Sequence, residues 1–275
     1  MPPNEGEGAI PWRRKQMKKA LVVVSFGTTY EGAINAIVNI EETCKRAYPD
    51  YDFYRAFTSG MIIRKLKKTK DITIMNPEDA MNHLVAEGYE EVVCQPTHII
   101  GGIEYDKLSA ILMKFKDKIP VIRIGKPLLS DESDYERVCQ AVMDQVKDRL
   151  DENDALVLMG HGSEHSANST YFMFEDMLRD MGYNNTFMAT VEGFPKLDYI
   201  LRRLKRTHVE KVVLMPLLIV AGLHAREDLA GDEEDSWKSI LIKNGFQVEP
   251  FIIGLGEFDA IAGLFADHLG DADQI

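Results

Sequence analysis

Three residues form a set by where they fall in the chain: His161 in "MGHGS", Glu192 in "TVEGF" and His224 in "VAGLHARED". Each follows a short apolar run and lies within two positions of a glycine, which permits tight turns and close backbone approach. Two imidazoles and one carboxylate suit a borderline divalent ion such as Co2+, Ni2+, Fe2+ or Zn2+ and leave coordination positions open. The same loops lack other signatures. Neither GxxxxGK[ST] nor GxGxxG occurs, so nucleotide binding has no support, and "HGSEH" places His161 and His165 four apart without the HExxH order of a zinc protease. A lone loop histidine is ordinarily a hydrogen-bonding surface residue. Position in the fold must therefore distinguish this trio.

Short β-branched runs alternate with amphipathic stretches along the chain, the pattern of βα units and a parallel sheet. Strands are predicted over Ala20–Ser25, Asp52–Phe57, Glu91–His98, Pro120–Ile124, Ala155–Met159, Thr186–Val191, Lys211–Ile219 and Gln247–Ile252, four in each half. "NPEDAMNHLVAEGY" reads as a helix with Asn76 at its N-cap and Pro77 at its first position, and "DESDYERVCQAVMDQVKDRL" opens with acids that suit a helix N-terminus.

The halves resemble each other. "LVVVSFGTTY" from Leu21 aligns with "LVLMGHGSEH" from Leu156, "AFTSG" from Ala56 with "ATVEG" from Ala189, and "VVCQPTHIIGGIEYDKL" from Val92 with "VVLMPLLIVAGLHARED" from Val212. Three matches in one order, each at a strand's carboxyl end, predict a duplicated α/β fold. The expected architecture is two similar Rossmann-like lobes, each a four-stranded parallel sheet flanked by helices, over residues 17–130 and 131–275, with residues 1–16 as a disordered tail. Ligands of such sheets bind outside the carboxyl ends of the strands, here in a cleft between lobes.

At the three matched positions the first half carries Phe26, Ser59 and Glu104 where the second carries His161, Glu192 and His224. The core pattern is shared and the loop chemistry differs, so the metal ligands belong to the second lobe. Phe26 and Glu104 then face the same cleft. Ser59 and Gly60 open the basic helix "SGMIIRKLKKTK", whose N-terminus favours an anion, with Arg64 one turn in as a carboxylate contact. "RIGKP" adds Arg123 and Lys126 at another strand end. His98, also near a strand end, fits a buried hydrogen-bonded role as well as a functional one, while His83, His208 and His268 sit in polar contexts and are expected at the surface. The acidic "GDEEDSW" fits either a carboxylate path for metal ions or ordinary helix capping.

A formal net charge of -12 argues against nucleic acid as a partner. Three cysteines without CxxC spacing suggest neither a disulfide framework nor a thiolate metal site, and point to a reducing compartment, the cytoplasm. No apolar run reaches the ~18 residues of a membrane span.

"KKALVVVSFGTTY", "RAFTSGMIIRKL", "HIIGGIEYDK", "MGHGSEH", "VEGFPKLD", "PLLIVAGLHARED" and "DEEDSWK" together resemble the anaerobic sirohydrochlorin cobaltochelatases of CbiK type, class II chelatases with the ferrochelatase fold. The resemblance runs from about Met17 to the C-terminus. It implies ATP-independent insertion of Co2+ into sirohydrochlorin in cobalamin biosynthesis, with His161, Glu192 and His224 as metal-binding and catalytic residues. Phe26, Ser59, Gly60, Arg64 and Glu104, singled out by the repeat and the basic helix start, are then expected around the tetrapyrrole, with no cofactor beyond the Co2+ being inserted. Sirohydrochlorin and Co2+ are the expected partners, without nucleic acid or membrane; a homo-oligomer stays open. Insertion of Fe2+ or Ni2+ into a related tetrapyrrole, or non-catalytic binding of tetrapyrrole or metal, are the alternatives.

Overall fold

The computed structural model describes residues 17–275, so the expected tail over 1–16 lies outside the described residues. All eight predicted strands form: β1 (Lys19–Ser25), β2 (Asp52–Phe57), β3 (Glu91–Pro96), β4 (Val121–Ile124), β5 (Ala155–Gly160), β6 (Thr186–Thr190), β7 (Lys211–Pro216) and β8 (Gln247–Pro250). Between them lie α1 (Ile34–Ala47), α2 (Gly60–Lys70), α3 (Pro77–Ala86), α4 (Ile103–Met113), α5 (Glu132–Val146), α6 (Thr170–Asp180), α7 (Leu197–Leu204) and α8 (Trp237–Lys243), and the chain ends in α9 (Asp259–Gly270) and a short β9 (Asp273–Gln274). Strands β3, β7 and β8 stop earlier than their apolar runs suggest. Each ends at a proline, which has no N–H to continue a ladder.

The strand orders are β2-β1-β3-β4-β9 and β6-β5-β7-β8, so the two lobes repeat one parallel topology. In both, the first strand of the lobe lies between the second and third: β1 pairs with β2 and β3, β5 with β6 and β7. The chain thus leaves the first strand toward one side and returns on the other, opening a crevice at the carboxyl ends where ligands of such sheets bind.

The first sheet has one strand more than the four expected. β9 pairs antiparallel with β4, Arg123 opposite Gln274 and Ile124 opposite Asp273. Two polar residues carry no apolar period, so this strand leaves no sequence signal. The end of the chain therefore hydrogen-bonds to the first lobe rather than staying in the 131–275 lobe, and α9 packs along α1. One core cluster runs through both lobes, joining Leu21, Val23 and Val93 to Leu156, Leu158 and Val213 through α5 and α9. His268 on α9 is buried, contrary to the expected surface position. Its Nε2 lies 2.9 Å from Asp134 Oδ1 and its Nδ1 3.3 Å from the Lys126 carbonyl. A polar sequence context could not reveal this, because Asp134 is brought from the far side of the lobe.

Local signals place the elements that carry the cleft residues. The Asn76 side chain caps α3 by accepting from Asp79 N at 2.9 Å, and Asp131 and Asp134 form a capping box on α5. Among the described residues no helix is long and apolar enough to cross a membrane.

Candidate metal-handling site

His161 lies one residue beyond β5, Glu192 two beyond β6, and His224 beyond β7 at the start of a π-helical turn over Ala225–Leu229. Strand pairing puts these ends side by side, Gly160 opposite Thr190 and Met159 opposite Pro216. The loop after β5 must fold back sharply, and Gly162 does so at φ 83°. A Cβ there would stand 1.6 Å from the Glu192 carbonyl oxygen, so only glycine lets the His161 and Glu192 loops touch. Ser163 N donates to Asn168 Oδ1 at 2.9 Å, and Asn168 Nδ2 donates to the Phe194 carbonyl, tying the same two loops again.

The imidazoles of His161 and His224 meet edge to face, centroids 5.1 Å apart and planes at 85°. Two rings bound through nitrogen at roughly 2.0–2.1 Å to one tetrahedral ion would have centroids about 5 Å apart. His161 Nδ1 lies 3.1 Å from the Gly162 carbonyl, and His224 Nδ1 lies 2.5 Å from Asp228 Oδ2. With those acceptors each ring places its proton on Nδ1, leaving Nε2 with a free lone pair; a carboxylate behind a histidine fixes its tautomer and orientation. The Glu192 carboxylate lies 4.0 Å from His161 Nδ1 and is 64 % exposed. Among the described residues no three such side chains close into a ready-made cage. Each imidazole is held at its Nδ1, whereas the Glu192 carboxylate is exposed.

Exposed apolar side chains adjoin these residues in the chain, Leu223 beside His224 and Phe194 two residues beyond Glu192, and Phe26 is exposed at the matched turn of the first lobe. Phe194 stacks in turn on Phe172 and Tyr199, at 5.6 and 5.0 Å. Such faces suit a planar ring. Ser59 caps α2, accepting from Ile62 N at 3.4 Å, and Gly60 follows as the first helical residue. The Arg64 guanidinium folds back over that N-terminus, its Nη1 3.2 Å from where a Cβ on Gly60 would stand. Lys67 and Lys70 are engaged by Asp71 and Glu31, and Arg123 and Lys126 by Glu91 and Asp131. Of the basic residues of α2, Arg64 is the first in the chain and the one that reaches the helix start.

Glu104 opens α4 and pairs with Lys107 at 2.7 Å. His98 lies at the foot of this helix with both ring nitrogens buried and unpartnered. Burial pushes its pKa down to about 4 against the opposing pull of Glu104, so it stands neutral near physiological pH. His165 turns away from His161: its Nδ1 accepts from Ala167 N at 3.1 Å and its Nε2 lies 3.3 Å from Asp106 on α4. In "GDEEDSW" the capping residue is Ser236, while Asp232 pairs with Lys238.

Two features escaped sequence reasoning. Asp228 stands four residues after His224, a spacing that in a helical turn places it on the same face and could have been read. The His165–Asp106 contact joins different lobes and had no local signal. A cavity of about 750 Å³ lies between α6 and α7, lined in part by the Phe172 and Tyr199 that Phe194 touches. There Glu175, paired with Arg179 and Arg203, accepts from Met188 N and covers the edge of β6, a structural duty.

Known proteins are similar to this chain in sequence and in fold. A sirohydrochlorin cobaltochelatase of Salmonella typhimurium is 40% identical over 257 residues, 93% of this chain and 97% of the relative. The sirohydrochlorin cobaltochelatase CbiKC of Nitratidesulfovibrio vulgaris is 32% identical over 258 residues, 92% of this chain and 89% of its own. Among solved structures, SirB from Bacillus subtilis with Fe3+ superposes with a TM-score of 0.64 at 17% identity, covering 93% and 95% of the two chains, a likeness of fold. The family described as cobalt chelatase (CbiK) matches residues 19–274, nearly all of the described chain, and the protein belongs to that family.

Proposed function

We propose that this protein is a sirohydrochlorin cobaltochelatase that inserts Co2+ into the macrocycle without ATP, using His161, Glu192 and His224. The observation that carries this reading is the His161–His224 pair, 5.1 Å apart with each Nδ1 engaged and each Nε2 left as a donor. A chelatase must bind a hydrated ion, exchange its water for pyrrole nitrogens and release it. Neutral imidazoles with one mobile carboxylate hold such an ion less tightly than thiolates would, and leave positions open.

Insertion releases two pyrrole N–H protons, and these need acceptors at the moment the metal departs. As each Nε2 gives up the ion its lone pair becomes free to accept a pyrrole proton. Asp228 stabilises the imidazolium formed at His224. Glu192 balances the charge of the incoming ion. The apolar faces of Phe26, Phe194 and Leu223 contact the ring, and the start of α2 with Arg64 receives side-chain carboxylates. Glu104 faces the macrocycle from the other lobe. The three free cysteines are buried, which pushes their thiols up to about 12, and agrees with a cytoplasmic enzyme whose thiols take no part.

The test is turnover. Purified protein with excess sirohydrochlorin and Co2+ should convert many equivalents, followed by the absorption change of the macrocycle; a change that stops at one equivalent would make the protein a binder instead. Parallel assays with Fe2+ and Ni2+ rank the metals, which the donor set does not separate.

A further inference from the structure

His165 and Asp106 lie in different lobes. His165 belongs to the loop after β5 that carries His161, and Asp106 sits in the first turn of α4, two residues after Glu104. The histidine is fixed at its other end: its Nδ1 accepts the Ala167 N–H at 3.1 Å, and its backbone N–H donates to Ser163 Oγ at 3.0 Å. With Nδ1 an acceptor, the ring proton resides on Nε2, the nitrogen that lies 3.3 Å from Asp106 Oδ2. The loop behind it is anchored through Ser163, Asn168 and Phe194 to the Glu192 loop. One aspartate contact therefore connects the helix carrying Glu104 to the unit carrying His161 and Glu192.

We infer that His165 is a positioning residue: its polar contact with Asp106 sets the width of the cleft before the tetrapyrrole arrives, holding Glu104 at a fixed distance from the proposed metal donors. This rests on the proposed chelatase reading. Two lobes held in their working separation lose less freedom when a rigid planar ligand bridges them, so the contact favours binding. Once the macrocycle spans the cleft it holds the lobes itself, and the contact contributes little to the chemical step. Side-chain exposures of 30% and 62% keep the pair weak enough to open and admit the ring.

The consequence is a split between kinetic constants. In His165→Ala and in Asp106→Ala, KM for sirohydrochlorin should rise about fivefold, the factor worth about 1 kcal/mol, with kcat within about twofold of wild type. The double variant should be no worse than either single one, since both remove the same contact. His165→Gln keeps an N–H donor near the position of Nε2 and should restore KM. Co2+ affinity, titrated on the protein alone, should be the same in every variant. An unchanged KM, additive single effects, or weakened Co2+ binding in His165→Ala would each overturn the inference, the last by making His165 a metal ligand.

A second measurement needs no turnover and so stands apart from the function proposed. Spin labels on cysteines introduced at the exposed Glu78 and Arg202, one per lobe, report the distance between lobes, and the native cysteines are buried and unlabelled. The distance distribution should be narrow in wild type and in His165→Gln and broaden in both alanine variants. Identical distributions in all four would overturn the inference even if the chelatase reading stands. A wild type that inserts no metal, with the broadening present, would overturn the chelatase reading alone.

Discussion

The His224 imidazole and the Asp228 carboxylate, one helical turn apart, are joined by a 2.5 Å contact at Nδ1, which dedicates the opposite nitrogen to the cleft. A π-helical turn carries both residues, and such turns recur at functional sites because the widened backbone re-aims a side chain. Asp228 therefore sets which face of His224 a metal ion meets.

Asp228→Asn should lower Co2+ affinity and kcat/KM by about 10–100-fold, the usual cost of removing the carboxylate behind a ligating histidine. The thermal midpoint should hardly move, since the Asp228 side chain is 44% exposed. Calorimetric titration of Co2+ alongside the melting curve checks both halves.

His161→Ala and His224→Ala should each reduce insertion by more than about 100-fold, because a ligand matters more than the group behind it. Both folds should persist, with side chains 45% and 41% exposed contributing little core. Circular dichroism verifies the fold and initial rates the loss; His208→Ala, at an exposed site far along the chain, serves as the silent control.

Gly162→Ala tests how the two loops are held together. The new Cβ would overlap the Glu192 carbonyl at a backbone angle of 83°, so we expect a loss of about 1–3 kcal/mol or more and a rate that falls further than stability alone explains. Gly182→Ala, at φ 94° with nothing within 4 Å, should carry only the backbone penalty of about 1–2 kcal/mol and keep full activity. Urea melts and initial rates of the pair separate contact from backbone strain.

The buried His98 gives stability a pH dependence of definite sign. Its pKa falls from 6.5 to about 4 on folding, so between these values the unfolded chain binds more protons and stability drops as pH drops. The part lost between pH 7 and pH 4.5 is about 2–3 kcal/mol. The second lobe carries Leu218 at the position matching His98, and His98→Leu should remove this part of the acid sensitivity, seen as a smaller fall in urea midpoint over the same pH range.

The duplication was legible in the sequence. Phe26 against His161, Ser59 against Glu192 and Glu104 against His224 showed one backbone pattern with two sets of loop chemistry, and both sheets do run in the same order. Strands β1 to β8 were visible as short β-branched and apolar runs, and the overlong ends of β3, β7 and β8 fall at prolines whose missing N–H outranks hydrophobicity. Less legible were residues whose role depends on a partner distant in sequence. His268 looked polar and exposed until Asp134 and the Lys126 carbonyl closed around it.

Sequence alone determined the periodicities, the duplicated topology and the donor types at three strand ends, because these follow from residue-by-residue pattern and the geometry of a parallel sheet. Tertiary structure decided what each donor faces: the 5.1 Å approach of His161 to His224, the loop contact that only Gly162 permits, the turn of His165 toward Asp106, and the return of α9 and β9 to the first lobe. Each of these is a contact between segments far apart in the chain. Such contacts are fixed by packing across the fold, and local pattern carries no record of them.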